Sequence, residues 1–243
     1  MPKDVSYRAP DGAVIYALSD IHGRADLLAE LLGRIDTDAR GTGADDLRLV
    51  FLGDYVDRGP DSRGVIELLL SGLPDSFSVT CLMGNHERML LDFLDGDDME
   101  HWMSNGAEAT VESYGIDAGD IHWAEGRAED CRKEFTRLLP TAHRNFLDGL
   151  QHWHAAGGYH FVHAGVRPGV PLDQQDSHDM LWIRSPFLHS DKDLGRMVIH
   201  GHTPGDAPVV RKNRICIDTG AWFSGQLTAL KMWRDERVFL ATG

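Results

Sequence analysis

Residues 47–59 read LRLVFLGDYVDRG, a continuous apolar run that passes into a loop rich in aspartate and glycine. A run such as Leu49-Val50-Phe51-Leu52, without polar alternation, is typical of a strand that is buried on both faces. Such strands belong to parallel sheets, in which the loops at the carboxyl ends of the strands carry the functional groups. The stretch therefore predicts an α/β fold with a polar site directly after this strand.

The rest of the chain supports this interpretation. Three β-rich runs alternate with three amphipathic stretches, at 14–19, 25–35, 47–52, 62–70, 78–83 and 87–94. This order indicates β-α units packed in layers. Strand character returns after residue 151, and we expect the later strands to form a second sheet. Residues 99–150 are mostly helical, and we expect them to form a helical cap inserted into a single domain that spans residues 1–243.

Composition and charge exclude several classes of protein. The 243 residues include 24 Lys and Arg against 38 Asp and Glu, a formal net charge of −14 that opposes binding to nucleic acid or to anionic lipid. The apolar runs fall well short of the ~18–20 residues that a membrane span needs. No apolar stretch precedes Val14, so we predict no secretory signal and a cytoplasmic location. We therefore expect neither nucleic acid nor a membrane as a partner.

Polar clusters follow five of the expected strands, and each cluster offers oxygen or nitrogen donors. They are SDIHG at 19–23, GDYVDRG at 53–59, GNHE at 84–87, VHAG at 162–165 and HGHT at 200–203. Each cluster alone has an ordinary explanation as a helix cap or a turn. Together they supply the Asp, Asn and His ligands that suit Mn, Fe or Zn. Because alternate residues of an extended chain share a face, we expect Asp20 and His22 to point the same way, and His200 and His202 likewise.

In this order the clusters resemble the signatures of the calcineurin-like metallophosphoesterases, and more narrowly those of their phosphoprotein phosphatase branch. These signatures read D-x-H, G-D-x-x-D-R-G, G-N-H-E, a lone H and G-H-T, and the resemblance spans residues 20–202. The short chain is similar to the compact bacterial and phage-type serine/threonine protein phosphatases. The resemblance implies an α/β fold in which two mixed β-sheets pack as a central β-sandwich flanked by α-helices, the four-layer metallophosphoesterase fold, with a helical insert.

The resemblance also implies two divalent metal ions in each chain. We expect Mn²⁺, with Fe, Zn or Co as alternatives, because this set of oxygen and nitrogen ligands accepts any of them. One ion would be held by Asp20, His22 and His202, the other by Asn85, His163 and His200, and Asp54 would bridge the two. In this family such a pair activates a hydroxide for direct in-line attack on phosphorus.

Four further residues acquire catalytic roles from the resemblance. His86 corresponds to the general acid that protonates the departing alcohol, and Asp57 to the carboxylate that orients this histidine. Arg58 would grip phosphate oxygens with its planar guanidinium, and Arg184 is the best-placed candidate for a second arginine with the same task.

The sequence thus predicts a phosphomonoester hydrolase, specifically a serine/threonine protein phosphatase whose partner is a phosphorylated protein or peptide. Phosphotyrosine stays open as an alternative substrate. A second hypothesis is a symmetrical bis(5′-nucleosyl)-tetraphosphatase acting on a dinucleoside polyphosphate; that sister family tends to carry Asp where this chain has Glu87. A third is a non-catalytic metal-binding scaffold, which predicts a gap in the ligand set or a missing acid. Neither gap is present.

Overall fold

The computed structural model of the protein describes residues 7–97, 99–117 and 128–243. In chain order the strands and helices are β1 (Ala13–Leu18), α1 (Ala25–Thr42), β2 (Asp46–Phe51), α2 (Ser62–Ser71), β3 (Phe77–Cys81), α3 (Asn85–Asp95), α4 (Met99–Met103), α5 (Ala107–Ser113), α6 (Ala128–Leu138), α7 (Thr141–Asp148), β4 (Trp153–Ala156), β5 (Tyr159–Val162), α8 (Ser177–Trp182), α9 (Ser185–Leu188), β6 (Met197–His200), β7 (Val209–Val210), β8 (Arg214–Cys216), α10 (Ala221–Ser224), β9 (Thr228–Trp233) and β10 (Glu236–Ala241). Residues 118–127 of the expected insert lie outside the described residues.

The strands form two mixed sheets of five strands each. The first sheet has the order β10-β9-β1-β2-β3, with β1, β2 and β3 parallel and the other two strands antiparallel. The second has the order β4-β5-β6-β8-β7, with β5, β6 and β8 parallel and an antiparallel strand at each edge. The expectation that all the late strands form the second sheet is wrong for β9 and β10, because β9 pairs with β1 of the first sheet.

The two sheets pack face to face. Ile15 and Val50 of the first sheet share one apolar cluster with Phe161, Ile199 and Ile215 of the second. The opposite face of β1 and β2 is also buried, against the helices that follow these strands. Burial on both faces explains why β1 and the second half of β2 read as continuous apolar runs instead of alternating ones.

Helices cover the outer face of each sheet. On the first sheet, Leu28 and Leu31 of α1 lie in the same apolar cluster as Tyr16 and Phe51 of the strands. On the second sheet, Val162 and Val198 pack with Met180 of α8 and Phe187 of α9. The order is therefore helix, sheet, sheet, helix, which confirms the predicted four-layer fold.

The described residues between α3 and β4 are mostly helical, as the sequence predicts, and form α4 to α7. Trp102, Val111, Phe135 and Leu147 from this segment lie in the same apolar cluster as α1, α2 and α3. These helices therefore extend the helical layer of the first sheet. Across the described residues, no helix is both long enough and apolar enough to cross a membrane.

Candidate metal centre

The residues that the sequence singles out follow the carboxyl ends of parallel strands in both sheets. Asp20 and His22 follow β1, Asp54 follows β2, and Asn85 and His86 begin α3 shortly after β3. His163 follows β5, and His202 follows β6. Because the two sheets face each other, their strand ends meet, and every one of these side chains is buried.

The backbone of these loops is strained at the polar residues. Within the described ranges, seven non-glycine residues have a positive φ, and one of them, Arg234, lies in the turn between β9 and β10. The other six are Asp20, His22, Asp54, Asp57, Arg58 and His202. Left-handed conformations of non-glycine residues cost free energy and concentrate at functional sites. The loops are therefore shaped to aim these side chains.

Asp54 lies at the centre of the cluster. Its Oδ2 is 3.5 Å from His22 Nε2, and its Oδ1 is 3.4 Å from His163 Nε2. Two groups of three residues could each hold a cation, because within each group the potential ligand atoms lie within 4.8 Å of one another. Asp54 belongs to both groups. His22 and His86 complete the first group, and His163 and His202 complete the second. The amide oxygen of Asn85 is 2.9 Å from both His163 Nε2 and His202 Nδ1.

The hydrogen bonds of two histidines show that this donor set fits a cation. His22 Nδ1 donates to the Val56 carbonyl and His163 Nδ1 to the Leu52 carbonyl, at 2.8 and 2.9 Å. Burial lowers the pKa of both rings, that of His163 to about 3, so both rings are neutral and their Nε2 atoms carry lone pairs. These lone pairs face the Asp54 carboxylate and, for His163, also the Asn85 oxygen. A divalent cation would satisfy such a convergence of buried acceptors.

His200 and His202 differ from the sequence-based assignment. The His202 ring contacts Asn85, which the sequence analysis places in the ligand set of His163 and His200. His202 contacts Asp20, its expected partner, through the backbone N–H, which donates at 3.0 Å. The His200 ring instead packs on Phe187, and its Nε2 accepts from Arg214 at 3.3 Å. The structure therefore brings His202 to the set expected for His200, and it does not bring His200 to the cluster around Asp54.

The two candidate phosphate-binding arginines lie at the exposed rim of the buried cluster, Arg58 beside His22 and Arg184 beside His202. Arg58 donates to His22 Nε2 at 2.9 Å, and its backbone N–H donates to the carbonyl of Gly106 in the helical insert. Arg184 donates through Nε to His202 Nε2 at 3.3 Å. Both guanidinium groups thus lie where an anion approaching the cluster from solvent would meet them.

His86 and Asp57 form a fully buried pair. His86 Nδ1 is 2.6 Å from Asp57 Oδ2, and His86 Nε2 is 4.0 Å from Asp54 Oδ2. No hydrogen-bond partner of His86 Nε2 is present among the described residues. Burial raises the pKa of Asp57 to about 7 and lowers the pKa of His86. The pair therefore holds one ring nitrogen on a carboxylate and leaves the other facing the cluster.

Comparison with known families tests the resemblance. A sequence profile described as calcineurin-like phosphoesterase matches residues 13–226, most of the chain. The protein belongs to the calcineurin-like phosphoesterases. Members of this family are phosphoesterases with a divalent metal centre, which agrees with the ligand groups around Asp54.

Several known proteins are similar to this phosphoesterase over nearly the whole chain. Serine/threonine-protein phosphatase 1 of Salmonella typhimurium is 28% identical, with 90% of this chain and 91% of the relative covered. The asymmetrical bis(5′-nucleosyl)-tetraphosphatase PrpE of Oceanobacillus iheyensis is 25% identical, with 93% and 91% covered. The crystal structure of a cold-active protein-tyrosine phosphatase of a Shewanella species has the same fold, with a TM-score of 0.57, 17% identity and coverage of 99% and 85%.

The structure of this phosphoesterase also reveals the contacts of Glu87, the last residue of the G-N-H-E signature, and those of Asp218, which no signature contains. The Glu87 carboxylate is completely buried and accepts four backbone N–H groups, those of Gly84, Asp54, Tyr55 and Val56. Glu87 therefore ties the loop that carries Asp54 to the start of α3. Because this carboxylate is enclosed by protein, neither Glu nor Asp at position 87 would contact a substrate directly. Asp218, after β8, is also buried; the pKa of Asp20 is raised by burial and, to a lesser extent, by the charge of Asp218.

We expect Glu87→Gln to destabilise the apoprotein by about 2–5 kcal/mol, because an amide keeps one acceptor oxygen and leaves two buried N–H groups facing an NH₂ group. The measurement is urea unfolding at pH 8 in the presence of a chelator. Burial raises the pKa of Glu87 to about 7, so this side chain is ionised at pH 8. Glu236→Gln, the same change at an exposed position of β10, is the control. Equal stability of the two variants would contradict the anchoring role of Glu87.

Proposed function

We propose that the protein is a metal-dependent phosphomonoester hydrolase that acts on phosphoserine or phosphothreonine in proteins. One observation carries the proposal: the lone pairs of two neutral histidines, His22 and His163, face the Asp54 carboxylate, that of His163 also faces the Asn85 amide oxygen, and an exposed arginine lies next to each half of this cluster. This arrangement provides a cation site and an anion site next to each other. A phosphate group attached to an alcohol needs both.

The proposed ligand set combines the contacts around Asp54 with the metal ligands that the family resemblance implies. Asp54 would be shared by two ions. Asp20 and His22 would complete one site, and Asn85, His163 and His202 the other. When bound, such ions offset the negative charge of the phosphate and lower the pKa of a water molecule toward neutrality. His200 is not part of this proposed set.

The chain's own residues would bind the phosphate and supply a proton. Arg58 and Arg184 would bind non-bridging phosphate oxygens, which holds the phosphorus over Asp54. Water adds its oxygen to phosphorus and releases one proton while the bond from phosphorus to the alcohol oxygen breaks, and His86 Nε2 gives the departing oxygen a proton. The proton that the water releases to solvent balances the one that His86 takes up again for the next turnover. The products are the free alcohol and inorganic phosphate. Asp57 holds His86 through Nδ1, so that Nε2 stays directed at the cluster.

Local charge explains how an acidic protein would bind an anionic substrate. The net charge of −14 repels phosphate at long range, so binding depends on the arginines and the cations of the site. A protein substrate with basic residues near the phosphorylated side chain would suit this balance. The similarity to serine/threonine-protein phosphatase 1 over nine-tenths of both chains supports the same substrate class.

A second candidate function is the hydrolysis of a dinucleoside tetraphosphate. Relatives named bis(5′-nucleosyl)-tetraphosphatase cover the chain as fully as the protein phosphatases do. These relatives are of the asymmetrical kind, whereas the hypothesis from the sequence is the symmetrical kind. A groove of about 390 Å³ beside Arg58 also includes the half-exposed ring of Trp222, a surface on which a nucleobase could stack. This groove gives the alternative a specific structural reason.

A competition experiment separates these functions. We expect the Mn²⁺-loaded protein to have a higher kcat/KM for phosphoserine and phosphothreonine peptides than for a phosphotyrosine peptide or diadenosine tetraphosphate. Release of inorganic phosphate reports the first reaction. Two ADP molecules report symmetrical cleavage of the tetraphosphate, and AMP with ATP reports asymmetrical cleavage. Faster turnover of the tetraphosphate would reverse the ranking, and metal content without turnover of any substrate would favour the scaffold hypothesis.

A further inference from the structure

The Asp57 carboxylate has partners besides His86, and these partners come from the helical insert. The indole N–H of Trp102 on α4 donates to both carboxylate oxygens, at 3.1 Å to Oδ1 and 3.0 Å to Oδ2. The hydroxyl of Thr110 on α5 donates to Oδ1 at 2.6 Å. Asp57, Trp102 and Thr110 are all completely buried. The carboxylate is thus fixed by two donors that belong to none of the family signatures.

Thr110 also binds the backbone of Asp57. Its Oγ1 accepts the Asp57 N–H at 2.8 Å and lies 2.9 Å from the hydroxyl of Ser62. Asp57 itself has a left-handed backbone, with φ at 71°. Thr110 therefore binds Asp57 at both its amide and its carboxylate. Such a double contact restricts rotation of the side chain and holds a strained backbone in place.

The contacts of Trp102 have two separable parts. Its ring packs on Phe93 and Phe135, which accounts for its burial in the helical layer. Core packing alone does not require the N–H, which points at the carboxylate. With Thr110 on Oδ1, His86 on Oδ2 and the indole between the two oxygens, the carboxylate has one orientation that satisfies all three partners.

We propose that Trp102 and Thr110 are positioning residues for proton donation: they hold the Asp57 carboxylate so that His86 keeps Nε2 directed at the departing alcohol. This inference rests on the proposed function, because it assigns these residues to the acid of that reaction. Neither residue touches the substrate or the metal ligands in this mechanism. They act through Asp57 and then through His86, as donors behind a catalytic pair commonly do.

The leaving group of the substrate provides the readout. An alkyl alcohol such as serine is a poor leaving group, and its oxygen needs a proton as the bond to phosphorus breaks. A 2,4-dinitrophenolate leaves as a stable anion and needs none. Variants that misplace the acid should therefore lose activity on a phosphoserine peptide and retain it on 2,4-dinitrophenyl phosphate. A general disturbance of the fold or of the metals would reduce both activities together.

The experiment compares Trp102→Phe and Thr110→Val in the full, Mn²⁺-loaded protein. We expect each to lower kcat on the phosphoserine peptide by roughly 10- to 100-fold, with KM and metal content unchanged, and kcat on 2,4-dinitrophenyl phosphate by less than roughly threefold. Trp102→Phe keeps a ring against Phe93 and Phe135, so it remains informative if Thr110→Val does not fold. Thr110→Ser retains the hydroxyl and should restore most of the activity.

A double-variant comparison tests whether the effect passes through His86. In a His86→Asn background, Thr110→Val should cause no further loss on the peptide, because the residue that it positions is already absent. Equal losses on both substrates, additive losses with His86→Asn, or unchanged peptide activity in both single variants would overturn the inference. Failure of the wild type to hydrolyse either substrate would instead count against the proposed function.

Discussion

Asp54→Asn should reduce hydrolysis of every phosphoester to background and should remove most of the bound metal. Asp54 belongs to both sets of ligand atoms in the cluster, so its negative charge is the one that two cations would share. Asparagine has the same shape, but it lacks this charge and retains one oxygen instead of two. Metal analysis of the purified variant, with turnover of phosphopeptide and aryl phosphate, gives the measurement.

The same variant should fold normally without metal. The backbone N–H of Asp54 donates to Glu87, and its Oδ1 accepts the N–H of His86; asparagine can keep both contacts. Burial raises the pKa of Asp54 well above its usual range, so the ionised carboxylate is costly in the apoprotein. We therefore expect Asp54→Asn to match or exceed the wild type in urea unfolding with a chelator present, and to gain little stability from added Mn²⁺.

Asp235→Asn, at the exposed turn between β9 and β10, is the matched control for the change from Asp to Asn. It should retain activity, metal content and the stabilisation by Mn²⁺. If Asp54→Asn also retained two ions and wild-type turnover, Asp54 would not be the shared ligand. An unfolded apoprotein would show instead that the carboxylate has a structural task that the asparagine amide does not fulfil.

The fold and most of the residues of the candidate site could be predicted from the sequence because their signals are local. Continuous apolar runs identify β1 and β2, and polar clusters directly after the strands identify Asp20, Asp54, Asn85 and His163. In a parallel sheet the strand ends meet at one edge, so residues far apart in the chain come together. The place of β9 and β10 had no such signal, because pairing with β1 depends on contacts across most of the chain.

The ring directions of His200 and His202 show where local reasoning stops. Period-two alternation holds only for extended backbone, and His202 has a left-handed φ of 64°. That conformation turns its ring toward Asn85, while His200 remains in β6 and packs on Phe187. Positions of positive φ at non-glycine residues are rare and cannot be inferred from the residue type, so the sequence does not reveal which of the two rings contacts Asn85.

The partners of Glu87 and Thr110 could not be predicted from the sequence for a related reason. Glu87 contacts backbone groups 31 to 33 positions away, and Thr110 contacts Asp57 across 53 positions. In the sequence, Glu87 reads as part of a helix start and Thr110 as one polar residue in a helical segment. Only the packing of α5 on α2 and the close approach of α3 to the loop after β2 reveal what these two side chains bind.

His86→Asn should lower kcat on a phosphoserine peptide by roughly 10²- to 10⁴-fold, the range for loss of a general acid, while both metal ions stay bound. Asparagine cannot donate a proton of suitable acidity to the departing oxygen, yet it fills part of the space of the ring. The measurements are peptide turnover and metal content on the same sample. His154→Asn, on edge strand β4 and outside both candidate ligand sets, is the control and should retain full activity.

Metal content decides between the two roles that the geometry of His86 allows. Its Nε2 belongs to a set of potential ligand atoms with His22 and Asp54, so loss of one ion from His86→Asn would identify it as a ligand. Two features favour the role as acid. His86 Nδ1 is 2.6 Å from Asp57, whereas Nε2 is 4.0 Å from Asp54. In addition, Trp102 and Thr110 hold the Asp57 carboxylate in place. A ligand needs only a neutral ring aimed at the ion, whereas an acid needs a buried carboxylate to stabilise the imidazolium from which the proton leaves. Retention of both ions with a large loss of kcat is therefore the result that this arrangement predicts.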